Sequence, residues 1–525
     1  MREPGASAIT PAERWLLLVC VLGFGLLAVA LGQSNNWDLR NYHWYNGWAW
    51  LTGRENRDFA AAYTQTWFNP VLPAALYLLL NSLPAWLGTF ALGCAQGLNL
   101  IPLHTIARRL LPASLCAHRW IVVVVCVTGL LGANGRGELG ATFGDTLVSL
   151  PVLLAVATLI ARGGLSNRRL LVAGALLGLA VGIKLTTAPL VLGIALALPA
   201  LARSPRDALR LIGIGAAGAA MMFAISDGWW LWHLWQRYGN PLFPMFGSVF
   251  GGDYVPPFDT RDARYLPRSL AEWLFYPLVW AKHPRLVSEL WFLDLRIPLL
   301  FLGMLGLPLW RRPALAHAAP RALRFVLTAV ALGYVGWLIL FGYYRYLAVI
   351  EMLAPVLLIC ALCGVFQRSE KRQQFAAVVI CTILLLFTRP ANWGRLQHYS
   401  EGYVEVTLPT LPDLATATVL LVDDQPLAFL APAFPATTRF VRIGGGMLGP
   451  PIPEWRFDAD AATHLATAGE PLYVLLGKPQ SALVTASLAR RNLRLASSEC
   501  ARVQANLLPP AIPIYLCNAQ RIASP

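Results

Sequence analysis

The sequence predicts a polytopic α-helical membrane protein of about 11 transmembrane helices, with a small C-terminal extracytoplasmic α/β domain. Three observations predict it. Of 525 residues, 57% are hydrophobic and only 13% charged, with a mean hydropathy of +0.54, whereas a soluble domain carries about 25% charged residues. That composition excludes an ordinary soluble enzyme and a disordered chain. Long apolar runs recur between arginine-rich breaks. After Phe387 the pattern changes to short apolar runs alternating with alanine-rich stretches.

Spans are expected near 14–32, 87–108, 119–133, 144–161, 169–184, 186–202, 208–227, 297–310, 322–341, 347–366 and 374–388. Most approach the roughly 20 residues a helix needs to cross the hydrocarbon layer. The breaks hold Arg108, Arg109 and Arg119; Arg162, Arg168 and Arg169; Arg203, Arg206 and Arg210; Arg311, Arg312, Arg321 and Arg324; and Arg368, Lys371 and Arg372. All five clusters fall on one side only if the N-terminus is cytoplasmic, which satisfies the positive-inside rule five times. The net charge of +15, from 42 Lys and Arg against 27 Asp and Glu, is then mainly topological, and no nucleic-acid partner is expected. No small-residue cleavage site follows the first span, so it reads as a retained anchor. The expected setting is a cytoplasmic membrane.

This layout gives a transmembrane domain over 1–388, with external loops at about 33–86 and 228–296, and an extracytoplasmic domain over 389–525. Trp229, Trp230, Trp232 and Trp235 cluster just beyond one span, where amphipathic rings favour the interface. Seven of nine cysteines lie in or beside spans; the other two, Cys500 and Cys517, sit in the C-terminal domain. A disulfide between them fits an oxidising, periplasm-like compartment; the alternative is two free buried thiols.

In the C-terminal domain, Thr418–Val422, Thr438–Val441, Leu472–Leu476 and Ile514–Cys517 read as strands, and Ala461–Ala468 and Ser481–Arg490 as helices. Asp423 and Asp424 end a strand and suit a turn better than a ligand site. No metal-spaced His/Cys set and no nucleophile motif is present there. Gly213, Gly215 and Gly218 spell GxGxxG inside an apolar span, which is a close-packing helix face and not a dinucleotide site. Gly174, Gly178 and Gly182 read the same way. His104 and His118 lack a second ligand at helical spacing, so zinc is not expected, and no Walker loop is present.

The informative stretch is Asn36–Arg54, NWDLRNYHWYNGWAWLTGR. Asp38 follows the first span, and a helix over the next residues would set Asp38, Tyr42 and Tyr45 or Asn46 on one face. Trp44, Trp48 and Leu51 suit a helix lying in the membrane interface. Gly53-Arg54 ends it, and a second short interfacial helix follows Asn69-Pro70. Asp38 reads two ways: a general base for an acceptor hydroxyl, or a helix N-cap. Arg40 and Arg54 suit an anionic leaving group; Arg40 equally suits a pair with Asp38.

These residues resemble the first external loop of the GT-C superfamily of integral-membrane glycosyltransferases. That loop carries an acidic residue just after the first span, then interfacial helices, a Gly-Arg or Gly-Asp step and a proline-led helix. The matching residues here are Asp38, Tyr42-His43, Gly53-Arg54 and Asn69-Pro70 leading Leu72 to Tyr77. Gly178-Leu179-Ala180-Val181-Gly182-Ile183-Lys184, Gly239-Asn240-Pro241-Leu242-Phe243-Pro244 and Tyr344-Arg345-Tyr346-Leu347 resemble later family features. The resemblance covers roughly residues 10–390. Two features depart from it: the loop has no DxD or ExD pair, and Asn69 stands where the aminoarabinose-transferase branch has a lysine.

The resemblance implies a polyprenyl-phosphate sugar donor and a lipid, glycan or protein acceptor at the outer face of the membrane. It implies displacement at the anomeric carbon, inverting, as a hexosyl- or pentosyltransferase. Asp38 would be the catalytic base, with Arg40, Tyr42, His43, Arg54, Lys184 and Arg345 binding substrate or phosphate, where cations stabilise the departing charge. Lys184 ends a span, where it either binds phosphate or snorkels. Arg136, in a short external loop with Glu138, is a third cation. Asp145, which opens a span, reads as a second acid, a metal ligand or an N-cap. The residues fix no cofactor and leave metal dependence open, with a divalent cation as one candidate. The long loop brings Asp253, Asp259, Arg261, Asp262, Arg264 and Arg268 among aromatics. Rival readings are a lipid-linked oligosaccharide ligase or polymerase, and a transporter or flippase, whose charges would lie near the midplane within internal repeats. Neither feature is seen here.

Overall fold

The computed structural model describes residues 10–254, 262–306, 319–365, 369–445, 455–477, 481–496, 500–508 and 512–522. Asp259, Arg261, Arg311, Arg312 and Arg368 lie outside the described residues. The chain divides into two compact units. The first comprises residues 1–31, 90–227 and 262–393; the second comprises 32–89, 228–261 and 394–525. The predicted boundary at 388/389 falls close to the change at 393/394, but the first loop and part of the long loop belong with the C-terminal residues.

The first unit is helical. Among the described residues of the chain, five helices are long and apolar enough to cross a membrane: Pro11–Leu31, Ala85–Leu110, Pro205–Tyr238, Pro320–Leu340 and Tyr344–Gly364. Shorter apolar helices include Arg119–Leu130, Asp145–Leu159, Leu185–Leu201 and Arg296–Leu305, and Asn167–Ile183 and Glu370–Leu386 complete the set. Each expected span thus coincides with a helix over its described residues, and five of them reach spanning length. Trp15, Leu26, Leu209 and Phe375 turn large apolar side chains outward. That surface suits lipid, and the protein is an integral membrane protein.

Serines start the helices that leave the arginine-rich breaks. The hydroxyls of Ser166, Ser204 and Ser369 accept from the backbone N–H groups of Arg169, Asp207 and Arg372, satisfying donors that a helix start leaves bare. The glycine-rich helices pack as expected. A Cβ on Gly174 would lie 2.1 Å from the Gly215 carbonyl oxygen, and one on Gly178 2.0 Å from that of Ala219. Gly218 meets the Leu171 carbonyl in the same way, whereas Gly213 faces open space. The backbones of Asn167–Ile183 and Pro205–Phe223 therefore touch where any side chain would part them.

The second unit is built on a sheet. Gln33–Ser34 (β1) pairs antiparallel with Arg395–Leu396 (β2). The main sheet contains Val406–Thr407 (β3), Thr418–Leu421 (β4), Arg439–Arg442 (β5), Leu472–Leu476 (β6), Leu493–Leu495 (β7), Ala501–Ala505 (β8) and Ile514–Arg521 (β9). Its order is β3-β8-β9-β6-β4-β5, with β7 also on β9. β4 runs parallel to β5 and β6, and the rest pair antiparallel. Helices Arg456–Ala466 and Ala482–Ala489 complete the predicted α/β pattern. β4, buried along its whole length, reads as a continuous apolar run because parallel neighbours flank it on both sides. Cys500 and Cys517 form the expected disulfide.

The first loop adds to this body. Phe59 pairs parallel with Val441 beyond the edge of β5. The predicted first-loop helix runs over 37–51, with a π-helical turn at Leu39–His43. Trp44 and Trp48 do not lie in an interface as expected. Both are buried, Trp44 against Tyr77 and Tyr403, because Val71–Ser82 covers that face. Gly47 allows the covering, since a Cβ there would sit 2.4 Å from the Pro73 carbonyl oxygen.

Replacing Gly178 by Val should force the two glycine-rich helices apart and cost about 1–3 kcal/mol by overpacking. Gly213→Val, facing open space, should cost well under 1 kcal/mol. Thermal unfolding of the two variants in detergent checks the difference.

Candidate functional site

Each unit carries a cluster of the predicted residues. In the second unit the helical segment begins after Asn36, whose Oδ1 accepts the Leu39 N–H at 2.8 Å. Asn36 therefore caps the helix start, and Asp38, half-buried, makes no side-chain cap hydrogen bond. The N-cap reading of Asp38 falls away. The π-helical turn inserts an extra residue per turn at Leu39–His43, so the simple i, i+4, i+7 face does not hold across it. Asn41, His43 and Asn46 are buried, with Asn46 donating to the Gln65 carbonyl and Asn41 to Gln65 Oε1. Tyr42 meets His43 and Phe68 edge-on, at 4.2 and 5.5 Å. Nε and Nη1 of Arg40 are buried with no hydrogen-bond partner among the described residues. Burial lowers the Arg40 pKa, as expected where a cation loses water without gaining an acceptor.

Arg54 is engaged elsewhere. Gly53, at φ +65°, ends the helix and turns Arg54 inward. Its Nε and Nη2 grip Asp58 at 2.9 and 2.7 Å, and Nη1 donates to the Ala436 carbonyl at 2.6 Å. Nη2 also donates to Thr438 O. Asp58 accepts in addition from Tyr45 Oη at 2.9 Å and from the Phe440 N–H at 3.0 Å. All three guanidinium nitrogens are spent on holding the loop, so the site this arginine builds is a structural one.

The first unit brings Asp145, Lys184 and Arg345 together. Gly144, at φ +85°, turns the chain so that Asp145 opens the helix Asp145–Leu159 without a side-chain cap bond of its own. Lys184 ends Asn167–Ile183 and reaches Asp145 Oδ1 at 2.6 Å. Its Nζ also donates to the Phe143 carbonyl at 2.8 Å, so it does not snorkel. Nε of Arg345 lies 3.2 Å from Asp145 Oδ2. The guanidinium sits over the rings of Phe143, Tyr343 and Trp393 at 4.3, 5.4 and 5.7 Å, a setting that suits the weakly hydrated guanidinium. The Asp145 side chain is 4% exposed.

Beside it stands Glu138, which the sequence reading noted only as a loop neighbour of Arg136. Its Oε2 accepts the Thr146 N–H at 3.0 Å. Burial, reinforced by the neighbouring Asp145, pushes its pKa well above the ordinary carboxyl range. Its one sequence signal is an ionisable residue between glycines in GRGELG, which periodicity does not rank above any loop glutamate. Arg136 only approaches the Thr388 carbonyl, at 3.5 Å.

The short helix Ala133–Glu138 that carries Glu138 is fixed from outside. Asp294 Oδ2 accepts the Ala133 N–H at 2.8 Å, and Glu351 accepts those of Asn134 and Gly135 at 3.1 and 3.0 Å. Arg296 secures Asp294 at 2.6 Å, and Tyr344 Oη donates to Glu351 at 2.8 Å. Asn134 Nδ2 donates to the Arg345 carbonyl at 3.0 Å. The helix thus couples the placement of Glu138 to that of Arg345.

In the long loop, Asp262 and Arg264 form an exposed pair and Arg268 donates its N–H to Glu272. Asp423 completes a turn, as expected, accepting from Gln425 N and Gly477 N. Among the described residues no group of three His, Cys, Asp or Glu side chains is placed to hold a metal ion.

No family model and no curated protein sequence matches the chain. Solved structures do. The crystal structure of ArnT from Cupriavidus metallidurans bound to undecaprenyl phosphate is similar over 99% of this chain and 100% of that one, with 14% identity and a TM-score of 0.53. Apo ArnT from the same organism covers 97% and 98%, with 13% identity and a TM-score of 0.46. The apo oligosaccharyltransferase of Archaeoglobus fulgidus covers 89% of this chain and 70% of that one, with 14% identity and a TM-score of 0.43.

Because the Arg54–Asp58 pair is buried, Arg54→Ala or Asp58→Ala alone should cost about 3–5 kcal/mol by stranding a charge. The double variant should cost clearly less than the sum. A double-mutant cycle on thermal or denaturant unfolding measures that coupling.

Proposed function

We propose that this chain, which has the fold of the GT-C membrane glycosyltransferases, moves a sugar from a polyprenyl-phosphate donor to a lipid, glycan or protein acceptor. The reaction takes place at the outer face of a bacterial inner membrane, with the N-terminus in the cytoplasm. The observation that carries the reading is the convergence of Lys184 and Arg345 on one buried carboxylate. Two fixed cations in a weakly polar setting are what a departing phosphate needs, because charge developing there is stabilised without reorganising solvent.

Asp38 takes the proton of the acceptor hydroxyl, and that oxygen forms a bond to the anomeric carbon. The bond from that carbon to the phosphate oxygen breaks, and its electron pair leaves on the polyprenyl phosphate. Attack opposite the leaving group inverts the anomeric centre. Lys184 and Arg345 receive the phosphate charge, and Arg40, whose buried Nε and Nη1 lack acceptors, offers a further cation. Tyr42 and His43 contact the sugar. The donor recommends itself on topological grounds, since it presents an activated sugar at the outer face without a nucleotide.

The test is release of polyprenyl phosphate by purified, reconstituted protein given a panel of polyprenyl-phosphate sugars and membrane-extract acceptor, with divalent cations and with chelator. Wild type should release it. Asp38→Asn should lower kcat by about 10²-fold or more, as loss of a general base does. Lys184→Met and Arg345→Met should each lower kcat/KM by about 10²–10³-fold. Absence of release by wild type across the panel sinks the reading.

A further inference from the structure

Two oxygens in the first-unit cluster pose a problem that charge alone does not solve. Glu138 Oε1 and Asp145 Oδ2 receive no N–H or O–H hydrogen bond among the described residues. Arg345 Nε approaches Asp145 Oδ2 as an ion pair at 3.2 Å. Glu138 Oε2 accepts the N–H of Thr146, the residue next to Asp145, at 3.0 Å, so the two carboxyl groups are neighbours, and Glu138 is wholly buried. Two carboxylates cannot share such a place as two anions, since neither has a proton to offer and both have lost water.

We infer that Glu138 keeps a proton and donates it in a hydrogen bond to Asp145, which holds the Lys184–Asp145–Arg345 cluster at one net positive charge as a receptor for a phosphate anion. Glu138 is thus a positioning residue that acts through Asp145. The inference rests on the phosphate-binding reading of the cluster and adds its protonation state. The charge count is two cations and one carboxylate. The groups facing Glu138 are Asp145 at the start of its helix, Lys184 at the end of the next, and Arg345 ahead of Ala348–Val365. Its other oxygen faces the Thr146 N–H. Burial and Asp145 raise the affinity of Glu138 for its proton, and the two cations oppose that only in part. The linkage has a definite sign. Deprotonating Glu138 takes the cluster from one positive charge to none, so phosphate binding weakens as pH rises through the folded-state pKa. Where binding requires that one proton, affinity falls by on the order of tenfold per pH unit above it.

Two measurements test this. Infrared spectra of the ligand-free full-length protein at neutral pH should show a protonated-carboxyl C=O band that Glu138→Gln removes. Asp145→Asn should remove it as well, since its amide can donate to a Glu138 carboxylate. Absence of that band in wild type, or its survival in Glu138→Gln, overturns the inference without reference to any substrate. Binding of undecaprenyl phosphate in nanodiscs is then followed from pH 6 to pH 9. Wild type should lose affinity in the alkaline range, and Glu138→Gln, which cannot lose the proton, should not. An alkaline loss that persists in Glu138→Gln overturns the inference and leaves the phosphate site standing. Failure of wild type to bind at any pH, with the infrared band present, overturns the phosphate-binding role of the cluster and spares the shared proton.

Discussion

A helix of six residues, Ala133–Glu138, depends on carboxylates that are not its own. Helix starts leave N–H groups without partners, and in an apolar surrounding each such group is costly. Asp294 and Glu351, from two distant parts of the sequence, accept three of them. Each carboxylate is in turn held, one by Arg296 and one by Tyr344. The arrangement fixes the helix from its N-terminal end and delivers Glu138 from the other. Because Asn134 also holds the backbone of Arg345, the acid and the cation of the first-unit cluster share one support.

Buried charge is handled differently in the two units. Around Asp58, every oxygen and every facing guanidinium nitrogen has a partner, and the result is a rigid joint. Around Asp145, Oδ2 and the Oε1 of Glu138 have no hydrogen-bond donor among the described residues, and the Arg345 guanidinium that pairs with Asp145 also lies over aromatic faces. Full satisfaction serves structure, while a deficit leaves capacity for something that is not protein. The same contrast separates Arg54 from Arg40, two arginines of one loop that the sequence presents as equivalent.

Much of this was legible in the sequence, for identifiable reasons. Apolar runs long enough to span must be helical where no water can satisfy the backbone, so the helical segments followed from length and arginine placement. The strand at Leu472–Leu476 and the start of the last one, Ile514–Cys517, followed from short apolar runs, the latter continuing to Arg521 in the structure, and the disulfide from two cysteines standing apart from the spans. Lys184, Arg345 and Asp145 were each visible as ionisable residues at span ends, but their meeting was not, since it joins three segments far apart in sequence. Glu138 was hidden because its importance lies wholly in its neighbours. Trp44 and Trp48 misled because a buried aromatic face and an interfacial one have the same periodicity, and only the covering helix distinguishes them. Asp38 was the cap the sequence suggested, and the structure gives that role to Asn36, two residues earlier.

The first loop and the C-terminal residues form one body, joined by the β1–β2 ribbon, by the Phe59–Val441 bridge, and by Arg442 donating to the Ala61 carbonyl. Chain order therefore misrepresents what is inherited together. A chimera that exchanged only the C-terminal quarter between two such proteins would break hydrogen bonds made with residues some 380 positions away. The viable unit of recombination is discontinuous, loop and tail in concert, so the two are expected to drift as a matched pair even where the helices between them change.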